Sequence, residues 1–140
     1  MIANRSVPKA TVIPELAYAD VAEASEWLCA AFGFRVRLRI AAHRAQLVFG
    51  DGAVIVTERG RKGGIAPHSI LVRVDDADRH HEQALASGAR VLGPPTDYPY
   101  GERQYTAEDP GGHRWTFSQS IADVDPAEWG GVLAAEEAGD

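Results

Sequence analysis

The protein has 140 residues, of which 45% are hydrophobic and 24% are charged. This length and this apolar content suit one domain with a hydrophobic core, and they exclude a multidomain assembly and a disordered chain. Residues 121–140 contain six of the 20 acidic residues and no Lys or Arg, so the net charge of −6 comes from this segment. The rest of the chain is neutral and therefore does not favour nucleic-acid binding. No run reaches the roughly 18 apolar residues of a membrane span, and one cysteine without a secretory signal leads us to expect a cytoplasmic protein.

The first half of the chain, about residues 11–58, is predicted to fold as a strand, a helix and three further strands. Asp20 suits the N-cap of the helix, because Glu23 follows at the spacing of a capping box. Gly33 suits the left-handed residue that ends the helix. Trp27 recurs with the apolar residues of this helix and is expected in the core. The three later strands are predicted at roughly 34–41, 44–49 and 53–58.

The second half, about residues 68–119, repeats this order. Either Asp75 or Asp76 can cap its helix, in which His81 falls on the apolar stripe and His80 on the solvated face. One module cannot bury both faces of its sheet, whereas two paired modules can form a curved mixed sheet with the helices outside and a cleft inside. The predicted class is therefore α+β. Three residues of the first half recur 55 positions later and support the repeat: Leu16 with Leu71, Asp20 with Asp75 and Gly33 with Gly88. The later strands of the second half are predicted at roughly 89–92, 103–108 and 113–119, with a turn at 109–112.

Three segments organise the rest of the chain. The glycine-rich and basic segment 59–64 is predicted to be a flexible linker between the modules. The modules together form a single domain over residues 1–120, and an acidic C-terminal tail follows at 121–140. In this tail Asp125 followed by Pro126 indicates a short helical turn, after which a lone Trp129 is expected to anchor the tail on the body or on a partner subunit.

The end of the second module carries a distinctive motif, which reads YGERQYTAEDPGGHRWTF over residues 100–117. Together with the duplicated βαβββ order, it resembles the vicinal oxygen chelate superfamily of glyoxalase I, bleomycin-resistance proteins and extradiol dioxygenases. The resemblance covers about residues 11–120, and it implies the predicted fold, a homodimer and a ligand cleft between modules or subunits. It leaves the activity open, because the superfamily contains isomerases, epimerases, dioxygenases, thiol transferases and binders that confer drug resistance without catalysis.

The resemblance also implies positions for a divalent metal ion. These positions fall on Ile13, on Ser69 or its neighbour His68, and on Thr116, with Glu58 as a possible fourth. Isoleucine cannot donate to a metal and threonine is a poor ligand for such ions. At most His68 and Glu58 could donate, and the pattern therefore favours a cleft without a metal or other cofactor.

Candidate ligand-binding side chains lie around the second module. Arg103 shares a strand face with Tyr105, and its guanidinium could hold a carboxylate or phosphate through two hydrogen bonds, the alternative being an ion pair with an acid such as Glu102 or Glu108. Tyr98 and Tyr100 flank a proline, and they could form a rim over a flat ligand or pack against the C-terminal segment or a second subunit. The remaining candidates are Trp115, as core or as a stacking surface, Thr116, and Arg37, in a row of alternating arginines that is either a solvated edge or an electropositive cleft wall.

Two functions are compatible with these residues. The first is a small-molecule-binding protein of the bleomycin-resistance type, which would hold an aromatic or anionic ligand without a metal and for which no catalytic residue is assigned. The second is a glyoxalase-like lyase or isomerase, or a dioxygenase, that uses a divalent metal and an atypical set built from His68, Glu58 and either Glu102 or Glu108. The missing donors at Ile13 and Thr116 favour the first. Neither function requires a nucleic acid or a membrane.

Overall fold

The two halves of the chain form βαβββ units that join into one curved sheet. The computed structural model describes residues 1–58, 68–108, 110 and 113–135, so the predicted linker at 59–64 lies outside the described residues, as does most of the turn at 109–112. The first unit contains β1 (Val12–Tyr18), α1 (Val21–Phe32), β2 (Arg35–Ile40), β3 (Arg44–Phe49) and β4 (Gly52–Glu58). The second contains β5 (His68–Arg73), α2 (Ala77–Ala86), β6 (Arg90–Val91), β7 (Thr96–Tyr98), β8 (Glu102–Glu108) and β9 (Arg114–Ser120), and the tail adds a 3₁₀ helix (Pro126–Trp129) and β10 (Gly131–Leu133).

The ten strands follow the order β10-β2-β3-β4-β1-β5-β9-β8-β6, and β7 also pairs with β8. The central β1–β5 pair is antiparallel and joins the two units. Each unit contains one parallel pair, β1 with β4 and β5 with β9, while the remaining pairs are antiparallel. Side chains from β3 and from β8 reach the same cavity, so the sheet curves around it. This arrangement confirms the predicted α+β fold with a mixed sheet around a cleft.

The helix ends follow the sequence signals. The carboxylate of Asp20 accepts a hydrogen bond from the Glu23 amide at 3.0 Å, and Gly33 ends α1 with a φ of 81°. In α2 the cap is Asp76, which accepts a hydrogen bond from the Arg79 amide at 3.0 Å. The capping predictions are therefore confirmed, and the choice left open in the second unit falls on Asp76 and not on Asp75.

Helix α1 covers the outer face of the first unit. Val21 and Leu28 pack with Leu47 and Val56 of the sheet in one buried cluster. The prediction that Trp27 belongs to this core is wrong, because its side chain is 55% exposed. At 100° per residue, Trp27 lies about 120° away from the direction shared by Val21 and Leu28, and so it projects to the side of the helix.

Helix α2 covers the outer face of the second unit with two histidines. His80 stacks on Phe117 with ring centroids 4.1 Å apart and forms a short hydrogen bond with the Tyr105 hydroxyl. His81 meets the Tyr105 ring edge-on at 5.1 Å, as expected for the apolar stripe. The prediction of a solvated His80 is wrong because α2 lies across β8 and β9, and burial lowers the pKa of His80 below its ordinary value of 6.5.

The tail returns to the body of the molecule. Asp125 caps the predicted turn by accepting a hydrogen bond from the Ala127 amide at 3.1 Å, and Pro126 is its first residue. The indole of Trp129 donates to the hydroxyl of Ser6 at 2.6 Å, which makes the body of the same chain its anchor. Strand β10, which pairs with β2, was not predicted. Neither helix of the described chain is long and apolar enough to cross a membrane.

Candidate functional site

The concave face of the sheet encloses a cleft of about 840 Å³ between the two units. Side chains alternate between the two faces of each strand, so every second residue points into this space. Its floor is apolar and consists of Ile13 from β1, Ile55 from β4 and Leu71 from β5, which also form one buried cluster. The volume falls within the range of pockets that hold a small organic molecule.

Three aromatic rings form one wall of the cleft. Tyr98 and Tyr100 stack with their centroids 5.5 Å apart and an interplanar angle of 11°, and Trp129 tilts against Tyr100 at 5.5 Å. The turn between β7 and β8 presents these rings through Gly101, which adopts a φ of 82° and would bring a Cβ within 2.6 Å of the Ala122 carbonyl oxygen. Only glycine fits there. The two tyrosines therefore border the cleft, and Tyr100 also packs against the C-terminal segment through Trp129, which was the other predicted alternative.

The hydroxyl of Tyr100 is held as a hydrogen-bond donor inside the cleft. It donates to the Gln104 side-chain oxygen at 3.3 Å, and the Gln104 amide donates in turn to Ser118 at 3.0 Å. Burial raises the pKa of Tyr100 to about 12, although the nearby positive charge of Arg44 opposes the rise. The phenol is therefore neutral at physiological pH.

A charged group lies on the opposite side of the cleft. The Arg44 guanidinium contacts the Glu15 carboxylate at 2.9 Å, and the Ser69 hydroxyl donates to the other carboxylate oxygen at 2.7 Å. Among the described residues, His43 and Arg114 also line the cleft. With His43 neutral, this lining carries one net positive charge, whereas the whole chain carries −6.

A buried carboxylate lies at the start of β8, next to the turn that carries Tyr100. Glu102 is fully buried and accepts hydrogen bonds from Asn4 at 2.8 Å, Ser118 at 2.6 Å and Ser120 at 2.5 Å. Asn4 also donates to the Tyr100 carbonyl oxygen at 2.8 Å. Glu102 thus ties the N-terminal segment to the loop that carries the aromatic wall. No pattern in the sequence indicated this role, since Asn4 belongs to the segment before β1 (residues 1–11), which was not assigned to the site.

Three predicted ligand-binding residues point away from the cleft. Arg103 lies on the helix side of β8 and pairs with Asp97 at 2.6 Å and Asp78 at 3.1 Å. The predicted ligand role of Arg103 is therefore corrected to the ion-pair alternative, although its partners are Asp97 and Asp78 and not Glu102 or Glu108. The hydrogen bond from Arg103 lowers the pKa of the Asp97 carboxyl group. Tyr105 and Trp115 occupy the same face of the sheet. The Tyr105 ring packs against α2, although its main chain borders the cleft.

Arg37 is also not part of the cleft wall. Its side chain is only 7% exposed, and it donates to the Gln46 side-chain oxygen at 2.6 Å and to the Arg5 carbonyl oxygen at 2.8 Å. The pairing of β2 with β3 shifts between Val36 and Leu38, so the simple alternation assumed for the three arginines is interrupted. Arg37 thus holds the N-terminal segment against the sheet. The prediction that Arg37 contacts a ligand is corrected.

The positions that the family uses for a metal do face the cleft, but their side chains do not suit one. Ile13 offers only carbon and is fully buried. The Ser69 hydroxyl donates to Glu15, and the hydroxyls of Thr116 and Thr106 share a hydrogen bond of 2.9 Å. These side chains do not fit a divalent ion, which prefers several converging imidazoles or carboxylates.

The alternative metal ligands lie on the wrong face of the sheet. His68 pairs with Leu16 and Glu58 with Tyr18, and both positions belong to the face that α1 and α2 cover. Over the described ranges, no group of three or more His, Cys, Asp or Glu side chains is arranged to hold a metal. The prediction of an atypical metal set with His68 and Glu58 is therefore corrected, because neither side chain faces the cleft.

The fold and the cleft can now be compared with known proteins. The model of the Glyoxalase/Bleomycin resistance protein/Dioxygenase superfamily matches residues 11–117. The chain belongs to this superfamily. An uncharacterized protein of Mycobacterium tuberculosis is 30% identical over 73 residues, which are 52% of this chain and 43% of that protein, so the chain spans about half the length of the curated relatives it matches.

Solved structures of the superfamily share the fold. A methylmalonyl-CoA epimerase variant from Streptomyces coelicolor in complex with 2-nitronate-propionyl-CoA aligns with a TM-score of 0.65 and 18% identity, over 83% of this chain and all of that one. A superfamily member from Vibrio splendidus aligns with a TM-score of 0.57 and 17% identity, over 79% of this chain and 97% of that chain. At such identities the likeness concerns the fold alone.

Proposed function

We propose that this superfamily member is a small-molecule-binding protein that holds a flat organic anion in the cleft between its two units, without a metal. The observation that carries the proposal is the wall of Tyr98, Tyr100 and Trp129 beside an apolar floor. Aromatic pairs contribute about 0.5–1.5 kcal/mol beyond the burial of their area. An aromatic ring of a ligand that stacks on this wall would gain that contact, and its apolar surface would be buried from water.

Charge supports an anionic ligand. The described lining has one net positive charge inside a protein that is negative overall. A cleft with low-dielectric walls focuses such a field and raises the local concentration of a ligand of opposite sign. The tail at 121–140 is acidic, so its charge does not add to the attraction of an anion to the cleft.

The competing proposal of a metal-dependent lyase, isomerase or dioxygenase has less support. It requires donors that converge in the cleft, whereas the positions that the family uses for the metal hold Ile13, Ser69 and Thr116. The Glu15 carboxylate also lines the cleft, but it is held by Arg44 and Ser69. We expect metal analysis of the protein, purified without added metal, to find less than stoichiometric zinc, nickel or iron. A stoichiometric ion whose removal by a chelator lowers the melting temperature would overturn the proposal.

We also propose that the protein is a cytoplasmic homodimer, as other members of the superfamily commonly pair. Several large apolar side chains are exposed on the first unit, including Trp27 at 55%, Phe32 at 57% and Phe49 at 56%. Such exposure is typical of a surface that a partner covers. Light scattering after size-exclusion chromatography is expected to give twice the chain mass of 15.1 kDa, and the mass of a single chain would contradict the dimer.

The binding proposal is tested by a melting-temperature screen of aromatic acids, followed by calorimetry. A ligand at a hundredfold excess over its Kd stabilises the folded state by roughly 2.7 kcal/mol. Tyr98→Ala and Tyr100→Ala are expected to weaken any hit by about tenfold. Trp27→Ala is the matched control, because it removes an exposed ring from the outer face. If a broad panel produces no shift, or if Trp27→Ala weakens binding as much as the wall variants, the proposal fails.

A further inference from the structure

We infer that Arg114 anchors the anionic group of the ligand, and that the ligand is an elongated monoanion whose aromatic end lies some distance away at the wall of Tyr98, Tyr100 and Trp129. This inference rests on the proposed function and adds to it a named anchor, a length and a chemical class. Arg114 begins β9 and lines the cleft in a half-buried position.

The other arginines near the cleft are engaged. Arg44 is neutralised by Glu15 at 2.9 Å, Arg37 donates to Gln46, and Arg73 donates to Ser120 at 3.1 Å. Within residues 1–58, 68–108, 110 and 113–135, the guanidinium of Arg114 has no hydrogen bond or ion pair. A half-buried guanidinium has lost part of its hydration, so a bound carboxylate or phosphate would replace that water with two parallel hydrogen bonds.

The strand register sets the length of the ligand. Arg114 is paired with Glu108 at one end of β8 and β9, whereas Ser118 is paired with Gln104, the residue that the Tyr100 hydroxyl contacts. Arg114 and Ser118 are four residues apart on β9, which corresponds to about 13 Å along a strand. A molecule that reaches both Arg114 and the aromatic wall must therefore be extended.

The space between the two ends is suited to a hydrocarbon chain. Thr116 lies between them on β9, its hydroxyl occupied by Thr106, and its neighbour in the adjacent strand is Leu71. Ile13 faces Leu71 across the central strand pair. This middle segment offers apolar contact and few free polar groups, so the expected class is an aryl group joined by an apolar chain to one carboxylate or phosphate.

The experiment compares two probes of the same shape, phenylhexanoate and its uncharged analogue phenylhexanamide, by calorimetry. The wild type is expected to bind the carboxylate about tenfold or more tightly than the amide, as hydrogen bonds to charged groups predict. Arg114→Gln should abolish this preference while binding the amide as the wild type does. Arg114→Lys, which keeps the charge and loses the planar fork, should retain part of it. Arg103→Gln, which removes an arginine from the outer face of the neighbouring strand, should retain all of it.

The outcomes separate the inference from the proposed function. If the wild type binds both probes equally, or if Arg114→Gln keeps the preference, the anchor is wrong although cleft binding stands. Benzoate, which is too short to reach both ends, should bind at least tenfold more weakly than phenylhexanoate, and equal binding would overturn the predicted length. If the wild type binds neither probe and no member of the wider panel, the proposed function itself fails. The thermal melt of each variant shows whether it is folded.

Discussion

The two faces of β8 and β9 use similar residues in opposite ways. On the outer face, Arg103 is fixed by two aspartates and the Tyr105 hydroxyl by His80 of α2. On the cleft face, Arg114 has no partner among the described residues, and the ring of Tyr98, at the end of the adjoining strand β7, is 41% exposed. The comparison shows that residue type alone does not mark a binding site. A site needs polar and aromatic groups that face a cavity and are not already satisfied within the protein.

The largest effect is expected where a cleft-side group is internally satisfied. Glu102→Ala removes an acceptor shared by three buried donors, so the free energy of unfolding should fall by about 3–5 kcal/mol in urea titrations. Arg103→Gln, its neighbour on the other face, should leave the free energy almost unchanged because surface ion pairs contribute little. Equal effects of the two changes would contradict the assignment of their faces.

A second pair of variants contrasts two tyrosines. Tyr105 is 3% exposed and packs under α2, so Tyr105→Ala should lower the free energy of unfolding by about 3 kcal/mol through lost packing. Tyr98→Ala should cost less than about 1 kcal/mol because its ring is half exposed, yet it should weaken ligand binding. Chemical denaturation and calorimetry on the same samples measure both. A reversed order of stability would show that the two rings are misassigned.

The third prediction concerns a ring that the helical pattern placed in the core. Trp27→Ala should change the free energy of unfolding by less than about 1 kcal/mol, because the side chain is 55% exposed and its ring meets only the edge of Phe32 at 4.8 Å. Its effect on the measured mass tests the homodimer separately. A loss of several kcal/mol with unchanged mass would restore the core interpretation.

The smallest expected effect depends on pH and on His80. Burial lowers the pKa of His80 in the folded protein, so the unfolded chain takes up the proton first as the pH falls through the ordinary value of 6.5. Stability should therefore decline below about this pH, until the folded form is protonated as well. His80→Gln should flatten that part of the curve of melting temperature against pH, relative to the wild type. An unchanged slope would show that His80 is not the group responsible.

Most of the fold could be predicted from the sequence because its signals are local. The N-caps of the two helices, the glycine at the end of α1 and the repeated strand and helix order each depend on residues close together in the chain. β7 and β10 were missed because three-residue strands carry almost no periodicity. Trp27 was misassigned because several small alanines widen the apolar stripe of α1 and blur its direction.

The candidate site was harder to predict because strand alternation gives two faces without saying which one is the cleft. Arg103 and Arg114 are both plausible anion ligands in the sequence, and only the pairing of β8 with β9 and the position of α2 separate them. Tyr98 and Tyr100 were singled out because they flank a proline at the turn between β7 and β8, which does not depend on the face of a long strand. Glu15 was missed as a cleft residue, and the buried hydrogen-bond network of Glu102 was not predicted, because their partners come from distant segments.

The contacts of Asn4 and Ser6 with residues 123–129 have a consequence for how binding competence arises. Asn4 accepts a hydrogen bond from the Val124 amide, and Ser6 donates to the Val124 carbonyl oxygen and accepts from Trp129. These contacts close loops of nearly the whole chain, which is entropically costly and slow. We therefore expect the aromatic wall to assemble after the sheet. A variant chain without these contacts is expected to keep its strands and helices while losing the ordered surface for a ligand.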